Sequence, residues 1–302
     1  MHGMEKQRVL VSLITKDNDY QLEQAFDAKA TAASLQVETQ IVYADNDPIA
    51  QGTGIIKAIQ SDPSTRPHGI VVEPAGASSF AEAAKAAAYA KIGWAVLSRV
   101  PEYTDDLRKL TRSPVFSVSA DDMEVGRIQG RQVNALLPRG GSVLWVEGPS
   151  VSSAALDRHG GFQETVNSNI HVSSVRGRWT EESAFQSVRS WLALELAKRR
   201  LKIDLVLAHD DVMAMGARRA IAVSELQITI PAIGCDGVLQ TGQAWVRRGD
   251  LMATVIVPPS TGLAIKLMIK ALREGSEIPK HSYTVPIAFP AIQGLKALTR
   301  TE

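Results

Sequence analysis

The sequence predicts an α/β protein made of two doubly wound parallel-sheet lobes. Three observations carry this. Short apolar runs alternate with helical patterns of roughly 10–18 residues along the chain, as βαβ units and parallel sheets require. The cycle starts afresh after Pro138-Arg139-Gly140-Gly141, giving more strands than one ordinary open sheet takes. No Gly- or Ser-rich stretch separates the halves, which favours several short crossings over one long tether. A (β/α)8 barrel is the alternative; it needs eight units in one closed sheet, and the irregular stretch 101–114 fits it poorly.

In order, Arg8 to Ile14 reads as the first strand, followed by polar Thr15 to Asp19 and a helix opened by Tyr20. Val37 to Ala44 is a second strand, and Pro48 stands in the first turn of the next helix, where its missing N–H costs nothing. Gly52-Thr53-Gly54 falls inside that helix and is no phosphate loop, since no strand directly precedes it and no Gly-Lys-Ser/Thr ending follows. Strand 68–72 leads to an Ala-rich helix 78–91, and strand 94–97 ends at Ser98-Arg99. Strand 115–118 is followed by a helix with Asp121 and Asp122 at its start. After Gly141 come strand 142–147, helix 153–166, strand 170–176 and helix 181–198. Then Ile203 to Ala208 forms a strand and His209-Asp210-Asp211 a junction, with Met213, Ala217, Ala220 and Ile221 on one helical face. Asp211 is placed to cap that helix, leaving Asp210 at the strand end. Strand 230–235, Asp236-Gly237, helix 238–247, strand 253–257, a helix through Ala264 to Leu272 and a last strand 282–288 complete the chain.

The 302 residues suit two domains. With 33 basic against 32 acidic side chains, no large net charge recruits nucleic acid or an anionic membrane. No apolar run approaches the roughly 20 residues of a membrane span, so no membrane insertion is expected. Cys235, the one cysteine, excludes an internal disulfide. The start Met1 to Gln7 is polar, with no signal peptide in view. The expected location is the periplasm if a leader has been removed, the cytoplasm if Met1 is the true start.

In open α/β sheets ligands bind at the carboxyl ends of the strands. Those ends hold Thr15, Asp17, Asn18, Glu73, Ser98, Arg99, Ser119, Asp121, Asp122, Glu147, Arg178, Trp179, His209, Asp210 and Asp236, with Arg158 on the helix after Glu147. The set is rich in carboxylates, guanidinium forks and aromatics and poor in nucleophiles. Carboxylates accept from hydroxyls, Arg donates in a plane and aromatic faces cover C–H surfaces, a composition for a neutral polyhydroxylated ligand. No metal-ligand spacing surrounds His209, no Gly-x-Ser-x-Gly elbow appears, and Cys235 ends a buried strand as an inert core thiol. No enzyme, cofactor or metal is expected. Trp145 and Trp191 read as core.

Several stretches carry a family resemblance: Val118-Ser119-Ala120-Asp121-Asp122 with Gly126; Arg158-His159-Gly160-Gly161-Phe162; Ala208-His209-Asp210-Asp211 with Met213-Ala214 and Gly216-Ala217; Ile233-Gly234-Cys235-Asp236-Gly237; and Ala253-Thr254-Val255 before Pro258. In this order the chain, from about 8 to 290, resembles the type I periplasmic solute-binding proteins of the ribose kind, and the effector domain of lactose-repressor-like regulators. The resemblance implies two similar lobes joined by three crossovers, with 1–116 plus 257–282 as the first lobe and 117–256 plus 283–302 as the second. It implies a sugar or polyol held between the lobes with hinge closure, as the solute-binding component of an ABC-type importer, with a membrane permease or sensor as partner. The alternative it leaves open is a cytoplasmic ligand-sensing domain; no helix-turn-helix precedes Arg8, so this chain alone is not expected to bind nucleic acid. Carried over by position, the ligand residues are Thr15, Asp17, Asn18, Tyr20 and Arg99 in the first lobe, and Arg158, Trp179, Asp210 and Asp236 in the second. Ser98 stands where the ribose pattern has Asp, Asp210 where it has Asn, and Val257 where it has Gln. These departures argue against ribose itself, not against a sugar-like ligand.

Overall fold

The computed structural model describes residues 6–76, 80–197 and 202–298. The chain divides into two compact units. One holds the described residues up to Ala120 with Pro259–Thr284; the other holds Asp121–Pro258 and the described residues from Val285 onward. The chain therefore passes between units three times, at 120–121, 258–259 and 284–285.

In the first unit the strands are β1 (Arg8–Leu13), β2 (Glu38–Tyr43), β3 (Gly69–Val72), β4 (Gly93–Leu97), β5 (Val115–Ala120) and β11 (His281–Thr284). They form one sheet in the order β11-β5-β4-β3-β1-β2, with every pairing parallel. The central strands are buried on both faces, so Ile70-Val71-Val72 and Trp94 to Leu97 read as continuous apolar runs. One face packs α1 (Asp19–Ser34) and α10 (Thr261–Glu274), through Ala25, Ala28, Ile265 and Met268 against Val11 and Phe116. The other packs α2 (Pro48–Ile59) and α3 (Ala81–Tyr89), through Ile55, Ile59 and Ala84 against Leu10, Ile70 and Trp94. The predicted start of α3 at 78 lies outside the described residues. The irregular stretch 101–114 contains one short helix, α4 (Thr104–Leu110), whose Leu107 enters the core.

In the second unit β6 (Gly141–Glu147), β7 (Ile170–Arg176), β8 (Leu205–Ala208) and β9 (Ala232–Ile233) form a parallel sheet in the order β7-β6-β8-β9. Helices α7 (Glu181–Ala197) and α8 (Asp211–Ala222) cover one face, while α5 (Asp122–Leu136) and α6 (Ser153–Thr165) cover the other. The predicted end of α7 at 198 lies outside the described residues. A seven-residue helix, α9 (Gly242–Arg248), starts later than the sequence suggests. Strand β10 (Thr254–Ile256) pairs antiparallel with β12 (Ile287–Phe289) and bridges β9 at Ile233–Ala253.

The last predicted strand, 282–288, is in fact two. Its first half is β11 beside β5 in the first unit, and its second half is β12 beside β10 in the second. Pro286 stands between them and has no N–H to give either ladder.

Helices α5 and α6 approach backbone to backbone. A Cβ on Gly126 would lie 2.0 Å from the Arg158 carbonyl oxygen, and one on Gly161 would lie 1.9 Å from that of Met123. Only glycine fits there, and the close approach sets Arg158 against the first turn of α5.

Candidate functional site

Both sheets reverse their winding direction once. In the first unit this happens between β1, whose following helix α1 lies on one face, and β3, whose following helix α3 lies on the other. In the second it falls between β6 and β8, followed by α6 and α8 on opposite faces. The crevice outside the carboxyl ends at such a switch point is where this architecture receives ligands.

At the first unit's edge, Thr15 is buried and its Oγ1 accepts from the Asp17 N–H at 3.1 Å. Asn18 is the N-cap of α1, with Oδ1 accepting from the Gln21 N–H at 3.1 Å. Asp17 is exposed, and Tyr20 is half-buried in the first turn of α1. Gln21 then ties this loop to the end of β3: its Oε1 accepts from the Ile14 N–H at 3.0 Å, and its Nε2 donates to Glu73 Oε2 at 2.9 Å. The other Glu73 oxygen accepts from Ser98 Oγ at 2.7 Å. Burial pushes the Glu73 carboxyl above its usual range, against the pull of the Ser98 and Gln21 hydrogen bonds. Arg99 bends back along its own unit, Nη1 donating to the Gly76 carbonyl at 2.9 Å. The structure thus brings Thr15 to Tyr20, Glu73, Ser98 and Arg99 to one strand edge.

At the second unit's edge, Arg158 is only 7% exposed. Its Nε donates to Asp122 Oδ1 at 2.8 Å, and its Nη1 donates to the His209 carbonyl and lies 3.8 Å from Asp236 Oδ1. The guanidinium also sits 5.7 Å from the centroid of the Trp179 ring. Arg158, Trp179, Asp210 and Asp236 are therefore gathered in one place, although a helix-borne arginine read alone suggests a solvated face. Three residues at these strand ends, Ser98 (φ 61°), Trp179 (φ 59°) and Asp236 (φ 93°), hold left-handed backbone that side chains disfavour. Gln36, Asp45, Asn46, Lys91 and Gln227 do so elsewhere.

One assignment is reversed. Asp210, not Asp211, is the N-cap of α8, its Oδ1 accepting from the Met213 N–H at 2.6 Å. Asp211 is the first helical residue, buried, and accepts the Gly237 N–H at 2.8 Å. The strand ends at Ala208, as the apolar pattern implies, but the helix starts one residue earlier than expected, at Asp211, so each carboxylate moves one role along. Burial and the charge of Asp236 push the Asp210 carboxyl up to about 7 and Asp211 well above its usual range.

Glu73 and Asp122 stand at strand ends in the sequence but were not assigned to ligand binding; the structure joins them to the assigned residues. For Asp122 the available signal is the Asp121-Asp122 pair itself. Asp121 caps α5 through the Glu124 N–H at 2.9 Å, which leaves the second carboxylate for another partner. Trp145 and Cys235 are core, as the apolar pattern predicts. Among the described residues no group of three His, Cys, Asp or Glu could hold a metal ion.

Two α/β units crossed three times by the chain, each with a polar strand-end crevice, define a bilobal ligand-binding protein of the parallel-sheet type. The chain belongs to the family described as the periplasmic binding protein domain, whose model matches residues 9–276. It is 24% identical over 261 residues to a ribose import binding protein of Salmonella typhimurium, covering 85% of this chain and 81% of that one. A galactofuranose-binding protein of Escherichia coli is 26% identical over 239 residues, covering 76% and 72%. Among solved structures, an ABC transporter periplasmic solute binding protein of Actinobacillus succinogenes with bound D-allose superposes with a TM-score of 0.80 at 20% identity, covering 94% and 97%. A Caulobacter myo-inositol binding protein superposes at 0.72 and 20% identity, covering 93% and 92%. The family is one of transporter solute-binding proteins rather than enzymes.

Proposed function

We propose that this chain binds a small neutral sugar or polyol and delivers it to a membrane permease as the solute-binding component of an ABC-type importer. The observation that carries this reading is the Arg158 constellation. A buried guanidinium is held by Asp122, lies near Asp236 and faces the Trp179 ring, at the switch point of a sheet. Donor fork, carboxylate acceptors and an aromatic face are what a ring of hydroxyls and C–H bonds needs. The relatives named above include a ribose import binding protein and a galactofuranose-binding protein, which supports the importer reading over the regulator.

Thr15, Asp17, Asn18, Tyr20 and Arg99 would contribute from the first unit, and Arg158, Trp179, Asp210 and Asp236 from the second. Glu73 joins them as an acceptor. Arg158 is offset by Asp122, and Arg99 is drawn electrostatically to Glu73, which favours an uncharged ligand, since a buried ion would lack a net partner. Binding would draw the units together about the three crossings, the ligand supplying the differential affinity for the closed state. The protein would work in the periplasm; no helix among the described residues is long and apolar enough to cross a membrane.

A thermal-shift screen over D-allose, D-ribose, L-arabinose, D-galactose and myo-inositol tests the class, because a ligand of the native state stabilises by mass action. A clear rise in Tm with one of these, and a smaller radius of gyration in solution scattering at saturation, are the expected results. No shift across the panel together with tight binding of a charged amino acid would overturn the reading.

A further inference from the structure

Trp179 is held by contacts that its own segment does not supply. It follows β7 in left-handed backbone, and its indole lies over the end of β6. A Cβ built on Gly148 would fall 2.3 Å from Trp179 Cη2 and 2.4 Å from Cζ2. The ring therefore occupies the space that any side chain at 148 would need. Beside it stands the imidazole of His209, nearly parallel at 22° with centroids 6.4 Å apart. On its other side His209 meets Trp145 edge-on at 5.2 Å.

His209 also fixes Gly148. The Gly148 N–H donates to His209 Nδ1 at 3.0 Å, so the ring proton resides on Nε2. Burial, with the positive charge of Arg158 next, keeps the imidazole neutral by lowering its pKa well below the usual value. The remaining facing groups are His159 and Arg176, the latter donating to the Gly148 carbonyl at 3.3 Å, and Glu147, which pairs with His159 at 3.0 Å. The His209 side chain is fully buried, and among the described residues its Nε2 finds no acceptor. A buried donor without a partner is a cost; a hydrocarbon side chain of similar size would avoid it. The feature the imidazole supplies and a phenyl ring does not is the Nδ1 acceptor for Gly148.

We propose that Gly148 and His209 are positioning residues for Trp179: glycine leaves the space, and the imidazole pins the glycine, so that the indole is held as a fixed wall of the second unit's half-site. The inference rests on the reading above that Trp179 faces the ligand. It makes the orientation of the aromatic wall, and with it discrimination among sugar rings, depend on two residues that touch no ligand.

The test separates the seat from the ligand. The full chain is labelled with 5-fluorotryptophan, which gives five fluorine resonances for the five tryptophans; Trp179→Phe assigns one of them. In ligand-free protein, Gly148→Ala and His209→Phe should shift or split the Trp179 signal and leave Trp94, Trp191 and Trp245 in place. His209→Asn, whose Oδ1 stands where Nδ1 stood, should restore it most of the way. Calorimetry with D-allose and myo-inositol should then show about a tenfold or greater loss for Gly148→Ala and His209→Phe, and recovery in His209→Asn to within about threefold. A Trp179 signal that stays put in both disruptive variants overturns the seat. So does lowered thermal stability in them with unchanged affinity, since that is a purely structural role. If the wild type binds neither compound while the fluorine pattern follows expectation, the seat stands and the sugar reading is what fails.

Discussion

The two strand edges solve the same problem with opposite charges. In the first unit the buried ion is a carboxylate, Glu73, surrounded by neutral donors from Gln21 and Ser98, while the nearby Arg99 bonds to backbone carbonyls. In the second the buried ion is a guanidinium, Arg158, joined directly to Asp122 and close to Asp236. A carboxylate held by neutral donors can relieve its burial by taking up a proton, and burial does raise the Glu73 pKa. A guanidinium cannot deprotonate in a protein, so it must be ion-paired wherever it is buried. The Glu73 carboxyl can therefore answer its burial by taking up a proton, whereas the Arg158 guanidinium can answer it only by pairing.

The largest expected effect comes from breaking that pairing. Arg158→Met leaves Asp122 buried without its cation, which should cost about 3–5 kcal/mol of unfolding free energy. Arg99→Met, at a half-buried fork bonded to carbonyls, should cost about 1 kcal/mol. Urea denaturation of the two variants measures both; equal losses would dissolve the contrast.

Next comes the exchanged pair of aspartates. Asp211→Ala leaves the buried Gly237 N–H without its acceptor, an expected loss of about 1–3 kcal/mol. Asp210→Asn keeps a capping oxygen and should cost under about 0.5 kcal/mol near pH 5. An Asp211→Ala protein as stable as wild type would remove the structural role assigned to Asp211.

The pH dependence is a smaller effect with a definite sign. Asp210 is pushed up to about 7 by burial and by Asp236, whereas an unfolded-chain aspartate titrates near roughly 3.9. Between those values the unfolded state gives up its proton and the native state keeps it. Stability is therefore fully present below about pH 4 and is lost as pH rises through about 7. The wild type should lose Tm between pH 5 and pH 8 through this group, and Asp210→Asn should narrow the gap. An unchanged gap in that variant removes Asp210 as its source. Glu73 has the same sign, so Glu73→Gln should narrow the gap too, while the N–H it puts where Gln21 and Ser98 both donate lowers stability equally at both pH values. An unchanged or widened gap in Glu73→Gln would place the first edge's pH response outside Glu73.

Much of this was legible in the chain itself. The alternation of strand and helix, the restart at Gly141 and the acidic start of α5 at Asp121 are local, because hydrophobic period and cap chemistry act within one or two turns. The ligand residues assigned by position also come together within their own units, since all but the helix-borne Tyr20 and Arg158 stand at strand ends and parallel strands align their ends at one edge. Beyond that reach lay facts that depend on which elements touch. The burial of Arg158 follows from two helices meeting through Gly126 and Gly161, far apart in sequence. The roles of Asp210 and Asp211 were decided by the Gly237 loop, whose N–H takes the second carboxylate and so leaves the first to cap the helix. The sharing of one predicted strand between two sheets depended on β5 and β10 being present as separate partners. Periodicity records which face of an element is buried. What it is buried against is set by long-range packing, and there charge pairing and hydrogen-bond satisfaction select among residues that the sequence leaves equivalent.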